Sequence, residues 1–139
     1  MEDFIKKHKY FIIFLLTVIL LFSNCHDEIS YYEYTVIVTG LDDKAGTSIS
    51  LWLISTELGR LYPGKLYAID SDGILTVHCS GEGNIPKKLY FGLMEDDFLW
   101  YDTDWVTRDQ FTYQVGMIYE LEFPKDFFTY KEFREKIKF

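Results

Sequence analysis

Alternating apolar and polar residues recur along most of the chain and predict a series of short β-strands. The stretch Tyr31 to Thr39 is dense in aromatic and β-branched residues, and Gly40 and two aspartates follow it. The stretch Ser48 to Ser55 is apolar on both faces because Trp52 and Ile54 alternate with other apolar residues, which predicts a central strand covered on both sides. The same patterns predict further strands at 66–69, 74–79, 89–94, 98–106, 111–115 and 119–123.

A turn signal lies between two of these predicted strands. The sequence at 70–73 is Asp-Ser-Asp-Gly, in which Gly73 tolerates a positive φ and the aspartates accept hydrogen bonds from nearby amides. The segment therefore predicts a hairpin. In its second arm the polar residues alternate with Leu75, Val77 and Cys79, so we expect one buried face and a His78 side chain that points to solvent.

The C-terminal segment has the pattern of a short helix. Thr129 and Glu132 have the spacing of a capping box, and Phe128 and Phe133 have that of a hydrophobic staple. The whole pattern predicts an all-β fold: a single antiparallel β-sandwich of about seven strands over residues 31–125, with a short C-terminal helix in 126–139 packed on it.

The N-terminal segment differs from the rest of the chain. Lys6, Lys7 and Lys9 precede an apolar run from Tyr10 to Phe22, which is the arrangement of a secretion signal. The run is shorter than the roughly 20 apolar residues that a transmembrane helix needs. We therefore expect residues 1–24 to be a cleaved signal peptide.

The end of this run, Leu21-Phe22-Ser23-Asn24-Cys25, resembles the lipobox of bacterial lipoproteins. The acidic residues after His26 are similar to the surface-export tag of Bacteroidota lipoproteins. The resemblance implies cleavage before Cys25, acylation of Cys25 with palmitate-type chains, a tether over residues 25–30, and an outer-membrane protein exposed at the cell surface. The alternative is that Cys25 is an ordinary secreted thiol beyond a conventional cleavage site.

Charge and cysteine content restrict the partners of the mature chain. Removal of residues 1–24 takes away three lysines and two acids and changes the formal charge from −8 to −9. An acidic domain repels phosphates, so we expect no nucleic-acid partner and membrane attachment through the lipid alone. With Cys25 acylated, Cys79 has no intramolecular partner, and its expected role is a buried, inert thiol.

One further resemblance concerns the fold. Residues 46–54 followed by the turn at 70–73 and the strand after it resemble prealbumin-like, carboxypeptidase regulatory-like domains. The resemblance implies a β-sandwich. Immunoglobulin-like and fimbrillin-like sandwiches fit the same pattern.

Few residues of the mature chain are suited to catalysis. His26 lies in the tether, so His78 is the one histidine within residues 31–139, and no G-x-S-x-G motif is present. One histidine and one cysteine are too few for a zinc site. Asp70/Asp72, Asp96/Asp97 and Asp102/Asp104 are candidate calcium ligands, but turn formation accounts for them better. We therefore expect no enzyme activity, no metal and no cofactor.

The most suggestive surface feature is the aromatic and acidic segment 98–105. Aromatic faces stack on sugars or anchor protein interfaces, while carboxylates accept hydrogen bonds from hydroxyl groups. The candidate ligand-binding residues are Trp100, Tyr101, Asp102, Asp104 and Trp105. The alternative is that alternate residues of this segment face the core. The predicted function is a non-enzymatic, surface-tethered lipoprotein that binds a protein or a glycan, and the alternative is an accessory subunit of a cell-envelope complex.

Overall fold

Most of the chain after Tyr31 consists of β-strands in the computed structural model, which describes residues 2–23, 31–57, 60–95 and 99–137. The elements are α1 (Glu2–Ser23), β1 (Tyr31–Thr39), β2 (Ser48–Ser55), β3 (Arg60–Ala68), β4 (Leu75–Glu82), β5 (Lys88–Met94), β6 (Trp105–Thr107), β7 (Phe111–Thr112), β8 (Met117–Glu122), β9 (Phe127–Thr129) and α2 (Tyr130–Ile137). The prediction of a mainly β fold is confirmed, and β1 and β2 have the predicted bounds.

The strands of the described residues form two sheets. One sheet has the order β4-β1-β8, and the other has the order β3-β2-β5-β6-β9 with β7 paired to β5. β2 therefore lies in the interior of its sheet, as predicted. β1 pairs antiparallel with β4 but parallel with β8, so the prediction of a purely antiparallel fold is wrong at this pair. The parallel pairing follows from chain direction, because β8 comes from the last third of the chain and starts beside Glu33, whose carbonyl accepts the N–H of Gly116 at 2.8 Å.

The main core lies between the two sheets. Alternate residues of β1 and β4 face the core, and Val36, Val38, Leu75 and Val77 are fully buried. These side chains pack in one cluster with Leu51, Phe91 and Leu93 of the other sheet and with Tyr119 and Leu121 of β8. Two sheets that share one apolar core make the fold sandwich-like.

The turn at 70–73 connects the two sheets and does not close a hairpin. Asp70 Oδ1 accepts the N–H groups of Asp72 and Ile74 at 2.9 and 2.8 Å, which is the predicted turn chemistry. However, β3 pairs with β2 and β4 pairs with β1, so the predicted hairpin is wrong. The physical reason is packing: Leu75 and Val77 bury their side chains fully as partners of β1.

Several predicted strand boundaries are wrong: the described residues form nine strands where about seven were predicted, and the predicted strand 111–115 is reduced to Phe111–Thr112. β3 begins at Arg60, well before the predicted 66–69, although it contains Pro63; this is tolerated because β3 lies at the sheet edge. The predicted strand 98–106 is reduced to Trp105–Thr107, and β9 lies within a segment expected to be helix or loop. The predicted strand 98–106 is shortened because the aspartates at 102 and 104 favour a turn. Residues 96–98 lie outside the described residues.

Helix α2 covers the outer face of the larger sheet. Its capping box is present: the Thr129 N–H donates to Glu132 Oε2 at 2.9 Å, and the Glu132 N–H donates to Thr129 Oγ1 at 3.3 Å. Phe133 is buried and packs with Tyr90 in a second apolar cluster that also contains Ile54 and Phe128. The predicted C-terminal helix and its capping are thus confirmed.

Helix α1 presents its apolar residues to the surroundings. The side chains from Tyr10 to Leu16 are all large, apolar and exposed. Among the described residues, no helix combines the length and the apolar character needed to cross a membrane.

Candidate functional site

The loop before β6 is organised by the carboxylate of Asp104. Asp104 is buried, and its Oδ2 accepts the backbone N–H of Tyr101 at 2.7 Å, while its own N–H donates to the Tyr101 carbonyl at 3.0 Å. Its carbonyl accepts the N–H of Tyr130 at 2.6 Å, at the start of α2. Asp104 therefore holds a tight turn and ties that turn to the helix.

Trp100 packs between the larger sheet and α2. Its ring stacks on Tyr130 at 4.7 Å between centroids and contacts Trp52 edge to face at 6.0 Å. It also lies directly on Gly92, where an added Cβ would be 2.3 Å from the Trp100 ring. Its Nε1 is buried, without a hydrogen-bond partner in the described structure. The ring is mainly a packing element of the second apolar cluster.

Trp105 faces the other way. It is partly buried against the main core, and its ring meets Phe123 edge to face at 4.8 Å. Asp102 is exposed and forms an ion pair with Arg134 of α2, whose guanidinium also lies 5.1 Å from the Tyr130 ring centroid. Of the five candidate residues, Tyr101 has the most exposed aromatic ring, at 49%.

Three of the five candidate residues meet in one surface cleft. A cleft of about 390 Å³ is lined by Lys44, Glu95, Tyr101, Thr103, Asp104 and Trp105. Trp100 and Asp102 are not among its lining residues. The structure therefore groups Tyr101, Asp104 and Trp105 and separates them from Trp100, which belongs to the helix–sheet packing.

Sequence reasoning missed Lys44, Glu95 and Thr103. Lys44 ends a 3-10 turn (Asp42–Lys44) between β1 and β2, and it forms an ion pair with Glu95, which follows β5. Fifty-one positions separate the two residues in sequence, so no local pattern links them. Thr103 lies inside the segment 98–105 but is not among the predicted ligand-binding residues.

The side chains that line this cleft are suited to binding a ligand. Its lining offers two aromatic rings, two carboxylates, one ammonium group and two hydroxyls, and these groups stack on rings or exchange hydrogen bonds with hydroxyl groups. None of the described lining residues is a histidine or a cysteine. The Lys44–Glu95 pair satisfies both charges at the rim and holds the two connecting segments together.

His78 and Cys79 lie on opposite faces of β4. His78 is exposed, as predicted, and its Nδ1 lies 3.0 Å from Thr35 Oγ1 and its Nε2 3.9 Å from a Glu33 oxygen. Cys79 is a free thiol that is only partly buried, so the expectation of a buried thiol is wrong, and its Sγ lies 3.3 Å from the Tyr67 hydroxyl. Residues 78 and 79 thus alternate as the strand pattern predicts.

The remaining candidate positions fall into two groups. Asp70 is engaged in its turn, and no group of three or more His, Cys, Asp or Glu side chains lies together among the described residues. Cys25, His26, Asp96 and Asp97 lie outside the described residues. In comparisons with known proteins, no family model, no curated protein and no solved structure matches this chain.

Proposed function

We propose that this chain is a non-enzymatic, surface-tethered lipoprotein whose Tyr101–Trp105 cleft binds a glycan. The observation that supports the proposal most directly is the cleft itself, where an exposed Tyr101 ring stands beside Trp105, two carboxylates and Thr103. Aromatic rings stack on the apolar faces of sugars, and the Glu95 carboxylate, whose side chain is 67% exposed beside Lys44, can accept bonds from sugar hydroxyl groups. Lys44 is the one cation among the described lining residues and is already paired with Glu95, which favours a neutral sugar over an anionic one.

The proposal that the chain is tethered rests on the N-terminal sequence. The apolar side chains of α1 from Tyr10 to Leu16 are exposed and thus lie outside the domain core. An apolar helix of this kind suits a translocation signal, and Cys25 follows it at the position of a lipobox cysteine. Acylation at Cys25 would place the domain at the outer membrane, with the cleft free to meet extracellular ligands.

A glycan array with the full-length chain in detergent tests the binding proposal. We expect at least one neutral glycan to bind, and Tyr101→Ala to lower its affinity by about tenfold or more. Leu99→Ala is the matched control, because Leu99 is more exposed than Tyr101, lies in the same loop and does not line the cleft. Equal binding by Tyr101→Ala and the unaltered chain would refute the cleft as the site.

An accessory role in a cell-envelope complex is the second candidate function. It is favoured by the exposed apolar side chains of Val115, Met117 and Ile118 at and beside β8, a strand at the edge of its sheet. Edge strands and exposed apolar residues are common features of protein contacts. Crosslinking in native membranes would distinguish the two: a stoichiometric neighbour that is lost on Ile118→Lys, with no glycan bound, would support the accessory role.

A further inference from the structure

A second cavity, separate from the Tyr101–Trp105 cleft, lies between the edge strands of the two sheets. β3 and β4 follow each other in the chain but belong to different sheets, so the space between them is not closed by ladder hydrogen bonds. A pocket of about 420 Å³ opens there, within the size range of small-molecule sites. We call it the tyrosine pocket, after Tyr32, Tyr34 and Tyr67 in its wall.

Part of the wall of the tyrosine pocket is apolar. Leu51, Leu53 and Ile85 contribute aliphatic side chains, and the Tyr34 ring is almost fully buried beside Tyr32, with 6.4 Å between the ring centroids. Tyr32 lies flat on β4: a Cβ added at Gly81 would be 2.8 Å from its hydroxyl oxygen. The ring can approach the strand this closely only because residue 81 has no side chain. The wall is therefore preformed for an apolar ligand body.

The tyrosine pocket has phenol groups that are neutral at pH 7. The Tyr67 hydroxyl and Cys79 Sγ lie 3.3 Å apart. Burial, followed by the interaction with Cys79, raises the pKa of Tyr34 and of Tyr67 above the ordinary value, so both phenols remain protonated. None of the described residues that line the pocket is a carboxylate, although the chain has a formal charge of −8.

The basic side chains at this pocket are exposed to water. Lys65 and His78 are both exposed, and His78 already has Glu33 3.9 Å away. A charged group placed on the apolar inner wall would lose its hydration without a buried partner, which is costly. An uncharged group with one hydrogen-bonding atom would instead meet the Tyr67 hydroxyl and the Cys79 thiol.

We propose that the tyrosine pocket binds a small, uncharged molecule with an apolar ring as its body and one hydroxyl or carbonyl group that bonds to Tyr67. This site shares none of its described lining residues with the glycan cleft. The two proposals are therefore tested independently of each other.

The experiment uses Cys79 as a reporter inside the pocket. In the full-length chain carrying Cys25→Ser, Cys79 is the only thiol, and its alkylation by iodoacetamide is followed by mass spectrometry. The probe is benzyl alcohol, and benzoate and benzylammonium serve as charged probes of nearly the same shape. We expect benzyl alcohol to slow alkylation with a half-saturating concentration below roughly 20 mM, as suits a fragment this small, and the charged probes to need at least about tenfold more.

Two variants separate the site from a general solvent effect. Tyr67→Phe keeps the ring and removes the hydroxyl, so the half-saturating concentration of benzyl alcohol should rise about fivefold to tenfold. Tyr101→Phe removes a hydroxyl from the other cleft and should leave that concentration unchanged. The ratio of rates with and without probe cancels any change in the intrinsic reactivity of Cys79.

Three results would overturn the proposal: no protection by benzyl alcohol, equal protection by benzoate or benzylammonium, or equal protection in Tyr67→Phe. If Tyr67→Phe fails to fold by circular dichroism, the comparison of the three probes on the Cys25→Ser chain still decides the charge preference. Denaturation by the alcohol would expose Cys79 and speed its alkylation, so it counts as the absence of protection.

Discussion

Truncation of Trp100 to alanine should destabilise the fold strongly, whereas truncation of its neighbour Tyr101 should not. Trp100 stacks on Tyr130, meets Trp52 edge to face and covers Gly92, so its removal empties the space between the sheet and α2. Such truncations of buried aromatic residues cost about 3–5 kcal/mol. Trp100 is partly exposed and its Nε1 has no partner among the described residues, so only packing is lost and we expect about 3 kcal/mol.

The Tyr101 ring is half exposed. Tyr101 contributes to the turn through its backbone N–H and carbonyl, both of which alanine retains. Tyr101→Ala should therefore change the free energy of unfolding by no more than about 0.5 kcal/mol. For a chain of this size, the loss at Trp100 corresponds to a decrease in Tm of about 10 °C. Thermal unfolding followed by circular dichroism, together with urea titration, measures both variants.

One result would contradict the packing of Trp100 between the sheet and α2. If Trp100→Ala loses less than about 1 kcal/mol while Tyr101→Ala loses as much or more, the helix–sheet packing described here is wrong. Trp100→Phe is an internal check, because it retains part of the stack on Tyr130 and should recover a part of the lost stability. The same pair of variants separates a residue that maintains the fold from one that contacts the ligand.

Further predictions concern the turns, the helix cap and the anchor. Gly73→Ala should cost at least about 2 kcal/mol in a urea titration, since φ is +71° and a Cβ would lie 2.5 Å from Asp42 N, whereas Gly46→Ala, at φ +78° with open space, should cost about 1 kcal/mol. Thr129→Ala should lose about 1 kcal/mol of stability. Hydrogen bonds from the backbone N–H and then the hydroxyl of Thr129 lower the pKa of Glu132, so the stability that this contact adds is present above the ordinary pKa of Glu132 and is lost as the pH falls through its lowered value. Thr129→Ala removes the hydroxyl but keeps the backbone N–H, so an NMR titration should show the pKa of Glu132 rising only part of the way back, and a complete return to the ordinary value would contradict the backbone bond. Mass spectrometry of the membrane-extracted chain should find an acylated Cys25 as the first residue, and Cys25→Ser should release the domain from membranes; an intact Met1 end would refute the lipoprotein proposal.

At the candidate site, the sequence drew attention to the segment 98–105 but did not distinguish the positions of its aromatic residues. Trp100, Tyr101 and Trp105 look equivalent in sequence, yet the first packs under α2, the second is exposed and the third packs toward the main core. The turn held by Asp104 causes this difference, because it replaces the first part of the predicted strand 98–106 and so changes the direction of each side chain. Lys44 and Glu95 join the cleft through tertiary folding alone.

For the fold, local physics was enough where a segment carries its own signal. β1 and β2 follow from their β-branched and aromatic content, and the cap of α2 follows from the spacing of Thr129 and Glu132. Pairing partners carry no such signal, because a strand presents the same backbone groups to any neighbour. Only the tertiary structure showed that β8 runs parallel to β1 and that the turn at 70–73 joins two sheets. Strand pairing depends on which apolar faces pack against each other in the core. This packing involves residues from the whole chain.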